Sequence, residues 1–214
     1  AGAVRTLART ADATLFAALT AALGAYVHRL TGRDDVCLGT FVANRTRAEV
    51  QHLVGCFINQ VPLRLDLSGD PTFRTLLDRT RAATTAALAH ADLPFPLLAE
   101  HVAAGTAPPQ PAIQVVLILH TENPYVEGTR VRVADGLEGW LVEHEIGGAK
   151  RDWTFHFYEV PDGLRGILEY DTDLFEPATI TGVADGFVRL LEAVTADPDR
   201  PAPHLDRPVP AAAP

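Results

Sequence analysis

The order of apolar and turn-forming segments predicts an α/β fold in which helices flank a mixed β-sheet. Helical and strand-like segments alternate along most of the 214 residues, and a strand pair around the turn Pro161-Asp162-Gly163 follows late in the chain. Such alternation is typical of parallel strands joined by helical crossovers, whereas a hairpin adds antiparallel strands. We therefore expect one mixed sheet with its helices packed against it.

The first long helix is predicted to begin after Asp12. Asp12 is a suitable N-cap residue, and Gly32 suits a left-handed stop at the other end. The apolar residues of this segment share one broad helical face: Leu15, Phe16, Leu19, Leu23, Tyr26, Val27 and Leu30. A buried strand is predicted over residues 36–42.

The next elements are predicted to be a short helix over residues 47–54 and a strand over residues 56–65. A second long helix is expected from Pro71, which the first turn of a helix tolerates, to about His90. Its inner stripe consists of residues at helical spacing: Phe73, Leu76, Leu77, Thr80, Thr84 and Leu88. A further helix is expected over residues 94–102.

The last third of the chain predicts three strands and a helix. Residues 113–120 are a continuous apolar run, which is typical of a strand covered on both faces. Residues 153–160 alternate, and residues 163–171 return as their hairpin partner. The final helix is expected from Pro177 to Ala196, and its buried side is apolar: Ile180, Val183, Phe187, Leu190, Leu191 and Val194.

Composition excludes several classes of protein. The net charge of −9 is spread along the chain, which argues against a nucleic-acid partner because phosphate binding needs a basic face. No apolar run approaches the roughly 18 residues of a membrane span. The absence of Met indicates a piece of a longer polypeptide, and two isolated cysteines, Cys37 and Cys56, indicate a reduced, cytoplasmic chain with buried thiols. The Pro-rich residues 201–214 are predicted to be an extended linker.

Common catalytic and metal-binding patterns are also missing from the sequence. Ser68 is the only serine, so a Gly-x-Ser-x-Gly nucleophile elbow is excluded. His52 and Cys56 have a spacing that could share a metal ion, but the sequence has no second pair near them, and we expect no metal site.

Two short runs carry a family resemblance. Residues 55–64 read Gly-Cys-Phe-Ile-Asn-Gln-Val-Pro-Leu-Arg, and residues 90–95 read His-Ala-Asp-Leu-Pro-Phe. They resemble two motifs in the second half of a condensation domain from a nonribosomal peptide synthetase, roughly Gly-x-Phe-Val-Asn-Thr-x-x-x-Arg and His-Gln-Asp-x-Pro-Phe-Glu. Gln60 stands where the family has Thr. The resemblance extends over nearly all of residues 12–201.

The resemblance implies a fold, an activity and partners. Residues 1–200 would be the carboxy-terminal lobe of a chloramphenicol-acetyltransferase-like fold, in which two lobes meet in a V around the reaction tunnel. The whole domain would join a carrier-bound acyl or peptidyl thioester to a carrier-bound amine. No segment matches the family's catalytic His-His-x-x-x-Asp-Gly run, so this run is expected in a separate amino-terminal lobe, and we expect the fragment alone to be inactive.

The same resemblance implies no cofactor bound to this chain itself. The phosphopantetheine arms would belong to donor and acceptor carrier proteins, which are expected partners together with the amino-terminal lobe.

Four residues are the candidate site. Arg45 is predicted to be the structural Arg that pairs with the Asp of the missing motif, with a solvated charge at a strand end as the alternative. Asn59 would either hold the backbone or contact substrate or the cofactor arm. Phe57 and His90 are predicted to line the tunnel, although His90 could instead be a favourable charge at a helix end. Arg64 is expected to be structural.

Two other functions remain open. The chain could belong to a non-catalytic, condensation-like module that recruits a partner protein. It could also belong to an epimerisation, ester-forming or heterocyclising relative, although the two motif runs fit condensation better.

Overall fold

A computed structural model describes residues 2–103, 113–120, 130–140, 147–160 and 163–201, apart from the side chains of Ala103 and Val131. In chain order the elements are α1 Gly2–Thr10, α2 Leu15–Thr31, β1 Asp35–Val42, α3 Ala48–Gln51, β2 Asn59–Asp66, α4 Phe73–Ala89, α5 Phe95–Ala103, β3 Val115–His120, β4 Arg130–Ala134, β5 Leu137–Trp140, β6 Trp153–Val160, β7 Gly163–Tyr170 and α6 Pro177–Ala196.

A five-stranded sheet organises the molecule, with the strand order β2-β1-β3-β6-β7. Its central strands β1, β3 and β6 run parallel, while β2 and β7 pair antiparallel with β1 and β6. Strands β6 and β7 form the predicted hairpin, and β4 and β5 form a separate antiparallel pair. The predicted α/β class with a mixed sheet is confirmed.

The main apolar core lies on one face of this sheet, which we call the core face. Leu38 pairs with Leu63, and Leu117 pairs with Phe155, so these side chains share that face. Helices α2, α4 and α6 contribute the facing residues: Leu19, Leu23, Leu76, Leu77, Phe187 and Leu190. Burying one such side chain contributes about 1.5–3 kcal/mol, so this layer is the main source of stability.

Alternate residues of the same strands point to the opposite face, which we call the second face. It carries Cys37 and Gly39 on β1, Gln60 and Arg64 on β2, and His120 on β3. The second face is therefore more polar than the core face. The sequence did not reveal this asymmetry because neighbouring strands in the sheet are far apart in the chain.

The start of α2 differs from the prediction. Thr14 is the N-cap, and its hydroxyl accepts a hydrogen bond from the backbone N of Ala17 at 3.1 Å. Asp12 instead adopts a left-handed φ of 51° in the turn after α1, a conformation that Asp tolerates better than most residues. Gly32 ends the helix with a φ of 70°, as predicted. Helix α1 was not predicted, because it has only nine residues and most of them are polar or small.

Three further boundaries differ from the predictions. Strand β2 begins at Asn59 rather than at residue 56, and the predicted helix over residues 47–54 is shortened to α3, because residues 52–58 form a loop. Helix α4 is capped by Thr72 rather than begun by Pro71. Its predicted inner residue Leu88 is 44% exposed, because the last turn extends beyond the core.

The remaining elements lie close to their predicted positions. Helix α4 ends at Ala89 with His90 as its C-cap, α5 is the helix expected over residues 94–102, and α6 has the predicted bounds. Strand β3 is fully covered at Val116 and Leu117, whereas its last three residues are half-buried. The expected cover on both faces therefore holds for its first half.

No single helix of the described chain is long and apolar enough to cross a membrane. Helices α1 and α2 would be long and apolar enough only if taken together, and their axes are bent by 103° relative to each other.

Candidate functional site

The two family-like runs meet at one end of the five-stranded sheet. Strand β1 ends at Val42, directly opposite Asn59, the first residue of β2. The chain between them includes residues 52–58, which we call the motif loop. Residues 90–95, between α4 and α5, lie against the start of β2 through the side chain of Asn59. Sequence runs about 30 residues apart therefore form one structural unit.

Arg45 holds the motif loop in place. Its Nη1 donates to the carbonyl oxygens of Val50 at 2.5 Å and Leu53 at 2.9 Å, and its Nη2 donates to that of Gly55 at 2.8 Å. The guanidinium also lies over the Phe57 ring, 4.5 Å from the centroid, a favourable cation–π distance. Arg45 is half-buried, so the solvated-charge alternative does not describe it. Its pairing with an Asp of another lobe stays a prediction.

Asn59 joins the two runs through its amide group. Its Nδ2 donates to the carbonyl oxygens of Ala91 at 2.8 Å and Leu93 at 2.7 Å, and its Oδ1 accepts from the backbone N of Phe95 at 3.0 Å. Both donors of the amide are thereby used on backbone. Of the two predicted roles, the geometry supports backbone holding, and a contact with substrate stays a prediction.

Phe57 and His90 occupy different environments. Phe57 is half-buried beneath the Arg45 guanidinium. His90 is exposed at the end of α4, where its backbone N donates to the Ala87 carbonyl at 3.1 Å and its carbonyl accepts from Leu93 at 3.2 Å. Phe57 belongs to the motif loop and His90 to the run of residues 90–95, and their predicted place on a tunnel wall stays a prediction.

Large apolar side chains are exposed around this end of the sheet. Val54 is fully exposed, and Ile58 is 63% exposed. We call the group the apolar rim, and its members are Phe41, Leu53, Val54, Ile58, Leu93, Leu97 and Val102. Large exposed apolar side chains grouped in this way suit an interaction site.

An exposed ion pair lies on the second face at the other end of β1 and β2. Arg64 donates to both carboxylate oxygens of Asp35, with Nε at 2.9 Å and Nη2 at 2.7 Å. The hydrogen bond from Arg64 holds the pKa of Asp35 below its usual range. This pairing agrees with the structural role expected of Arg64.

The two cysteines are both exposed, so the prediction of buried thiols is wrong. Cys37 lies on the second face, beside the Arg64–Asp35 pair, and Cys56 lies in the motif loop, so neither belongs to the core.

Two polar clusters on the second face were not predicted from the sequence. In the first, the Oε1 atom of Gln60 accepts from Arg151 Nη2 at 2.7 Å, and Gln60 is 7% exposed. Gly39 lies beneath it, and a Cβ there would be 2.7 Å from Ile113 Cγ2. The departure from the family's Thr at residue 60 was the signal, but the partner of Gln60 is 91 residues away, and local patterns do not show strand register.

The second cluster consists of two histidines and a tyrosine. His120 Nε2 lies 3.2 Å from His156 Nδ1, and the His120 ring stacks on Tyr158 with centroids 4.3 Å apart. Glu169 Oε2 lies 4.0 Å from His156 Nε2. Burial, and then the neighbouring His156, lowers the pKa of His120. The alternation of β6 placed His156 and Tyr158 on one face, but pairing with β3 could not be read from the sequence.

Within the described ranges, no group of three or more His, Cys, Asp or Glu side chains is arranged to hold a metal ion.

A family model for the condensation domain matches residues 1–211. The chain belongs to the condensation-domain family. Condensation domains are the peptide-bond-forming domains of nonribosomal peptide synthetases. The resemblance carried by residues 55–64 and 90–95 is thereby confirmed.

Curated relatives of this condensation-domain chain are large synthetases. It is 38% identical over 201 residues to a linear gramicidin synthase component from Brevibacillus parabrevis, covering 93% of this chain and 2% of that protein. It is 39% identical over 207 residues to the dimodular nonribosomal peptide synthase of Bacillus subtilis strain 168, covering 94% of this chain and 8% of that protein. The chain therefore spans a small part of each relative.

Solved structures share the fold. A four-domain nonribosomal peptide synthetase, holo-AB3403 bound to AMP and glycine, matches 96% of this chain with a TM-score of 0.85 at 19% identity, over 16% of its own length. The X-domain from teicoplanin biosynthesis matches 96% of this chain with a TM-score of 0.82 at 28% identity. The match covers 46% of that X-domain chain.

Proposed function

We propose that this chain is the carboxy-terminal lobe of a condensation domain that forms a peptide bond between two carrier-bound substrates. The observation that carries the proposal is the apolar rim beside the motif loop, in a chain that spans 46% of a solved relative of the same fold. An amino-terminal lobe with the catalytic His motif would cover this rim. Residues 1–200 would be the lobe and residues 201–214 the linker.

The chemistry proposed for the whole domain is acyl transfer to an amine. The amine nitrogen attacks the thioester carbonyl carbon, the C–N bond forms, the C–S bond breaks, and the amine proton is passed on to the thiolate that leaves. The His that handles this proton would come from the other lobe. The residues of this chain would shape the tunnel, with Arg45 holding the motif loop and Asn59 holding residues 90–95 beside it.

The proposed partners follow from this chemistry. Both substrates would arrive on phosphopantetheine arms of donor and acceptor carrier proteins, so the lobe itself needs no bound cofactor. The nonribosomal synthetase relatives support this multidomain setting. A cytoplasmic location is part of the same proposal.

A binding experiment tests the proposed lobe interface. The amino-terminal lobe encoded upstream would be expressed separately and titrated with this chain in sedimentation or calorimetric measurements. We expect a complex that Val54→Asp weakens at least tenfold, because a charge would be buried in an apolar contact. Val188→Asp on α6 is the matched control, since Val188 is 52% exposed but lies away from the rim. Equal binding by both variants, or no binding at all, would contradict the proposal.

A second candidate function rests on one structural relative. The teicoplanin X-domain has been solved in a complex with OxyB, and that structure matches 95% of this chain with a TM-score of 0.81 at 28% identity. A non-catalytic module that recruits a partner protein is therefore the alternative. An intact His-His-x-x-x-Asp-Gly run in the upstream lobe would support condensation, whereas a degraded run together with binding of a separate partner protein would support recruitment.

A further inference from the structure

The five residues after α6 lie against the first turn of α4. Residues 197–201, which we call the clasp, approach α4 through backbone hydrogen bonds. The N–H of Phe73 donates to the carbonyl of Arg200 at 3.3 Å, and the N–H of Arg74 donates to that of Pro198 at 3.0 Å. Thr72 and Pro201 complete the contact as an isolated antiparallel bridge.

These bonds supply what the start of a helix lacks. The first N–H groups of a helix have no partner within it. In α4 the clasp carbonyls accept from the first two, and the Thr72 hydroxyl accepts from the third, that of Thr75, at 3.2 Å. The cap of α4 is therefore shared between Thr72 and residues more than 120 positions further along the chain.

An ion pair closes the same contact. Arg74 Nε lies 2.7 Å from Asp199 Oδ1, and Arg74 Nη2 lies 3.2 Å from Asp199 Oδ2. The hydrogen bond from Arg74 holds the pKa of Asp199 below its usual range, so the carboxylate is charged at neutral pH. Within the clasp, Arg200 Nε lies 2.9 Å from the Asp197 carboxylate. Two-point geometry of the Arg74–Asp199 kind fixes direction as well as distance.

We propose that the clasp fixes the point and the direction from which the chain continues after Pro201, into a sequence that is rich in Pro. Pro-rich sequences favour an extended, semi-rigid backbone that spans about 3.1 Å per residue. A semi-rigid spacer can orient a following domain only when its first residues are fixed relative to the preceding one. The clasp would thus orient whatever is joined to the lobe through this segment, and it does so whether or not the lobe takes part in condensation.

A distance measurement on the whole chain tests this. Spin labels would be placed at Ala82, exposed on α4, and at Ala202, the residue after the clasp, with Cys37 and Cys56 replaced by Ser. We expect a narrow distance distribution. Arg74→Ala and Asp199→Ala should each widen this distance distribution at least twofold. Each should also speed amide hydrogen exchange at residue 74 by up to about fivefold, which is the effect expected from the loss of an exposed ion pair.

Arg64→Ala is the matched control, because it removes another exposed two-point Arg–Asp pair, which lies on the second face of the sheet rather than on the core face where α4 packs. It should leave both readouts at the wild-type value. The exchanged pair Arg74→Asp with Asp199→Arg should narrow the distribution again, which separates loss of the clasp from general damage. A broad wild-type distribution, or Arg74→Ala and Asp199→Ala variants that match the wild type in both readouts, would overturn the proposal.

Discussion

Single side chains determine the local shape of the candidate site, and Arg45 is the strongest case. From the sequence it was an Arg near the end of a buried strand, and a role in pairing with another lobe was inferred by resemblance. The structure adds a role inside this chain, because three carbonyls of residues 50–55 and the Phe57 ring depend on its guanidinium. A sequence cannot show which carbonyls a side chain will reach.

Arg45→Ala should lower the melting temperature of the isolated chain. It removes the charged donor of three carbonyls, of which that of Val50 is half-buried and those of Leu53 and Gly55 are exposed. We expect this to cost about 0.5–1.5 kcal/mol of unfolding free energy, the net value of an intramolecular hydrogen bond. The melting temperature of Arg45→Lys should lie between those of the wild type and Arg45→Ala, because an ammonium group keeps the charge but lacks the planar fork of the guanidinium. Arg47→Ala, at an exposed position two residues on, should change stability by at most about 0.5 kcal/mol. Equal melting of Arg45→Ala and Arg47→Ala would show that the loop does not depend on Arg45.

The histidine cluster predicts a pH dependence at the residue scale. The folded pKa of His120 is lowered, by burial first and by His156 second, from the value near 6.5 of an unfolded His. Between these two pKa values the unfolded chain binds more protons, so acid favours unfolding. Tyr158 and Glu169 lie beside the two histidines, and Arg165 pairs with Tyr158 across β6 and β7.

The contribution of His120 to the free energy of unfolding should therefore be fully present above about pH 7, and it should be lost as the pH decreases through about 6.5. Melting curves from pH 5 to 8 measure this for the wild type and for His120→Gln. The His120→Gln variant should show a weaker dependence of melting temperature on pH than the wild type. His52→Gln, at an exposed site in the motif loop, should keep the wild-type dependence. An unchanged slope in His120→Gln would place the titrating group elsewhere.

At the scale of elements, the sequence predicted most helices and strands but not their ends. Periodicity is a property of a whole segment, and it identified α2, α4, α6 and the β6–β7 hairpin. Ends depend on single contacts, such as the Thr14 hydroxyl at α2 or the clasp at α4, and these are decided by tertiary structure. Helix α1 was missed because it has only nine residues, most of them polar or small, and it is stabilised by packing against α2 and α6.

The link between β2 and α5 gives a prediction at this scale. Asn59→Ala removes the three hydrogen bonds that hold residues 91–95 to β2. Amide exchange at Phe95 should become at least tenfold faster, while exchange in the centre of β2 should stay slow. Gln51→Ala is the control, since the exposed Gln51 side chain lies in α3. Slow exchange at Phe95 in the variant would mean that packing alone holds α5.

At the scale of the whole molecule, the sheet of the described chain has one covered face and one polar face. The core face unites α2, α4 and α6 with five strands. The second face carries the Gln60–Arg151 and His120–His156 pairs, and the apolar rim lies at the end where the motif loop begins. The fold class and family could be read from the sequence, because periodicity and motif runs are local. The faces could not, because they depend on which strands become neighbours.

Reconstitution of activity tests the central proposal most directly. The upstream amino-terminal lobe and this chain would be mixed with a donor carrier bearing an acyl or peptidyl thioester and an acceptor carrier bearing an aminoacyl group. We predict amide product with both lobes present and none above the no-protein blank with either lobe alone. Amide formation by this chain alone, or no product from a mixture shown to form the two-lobe complex, would contradict the account.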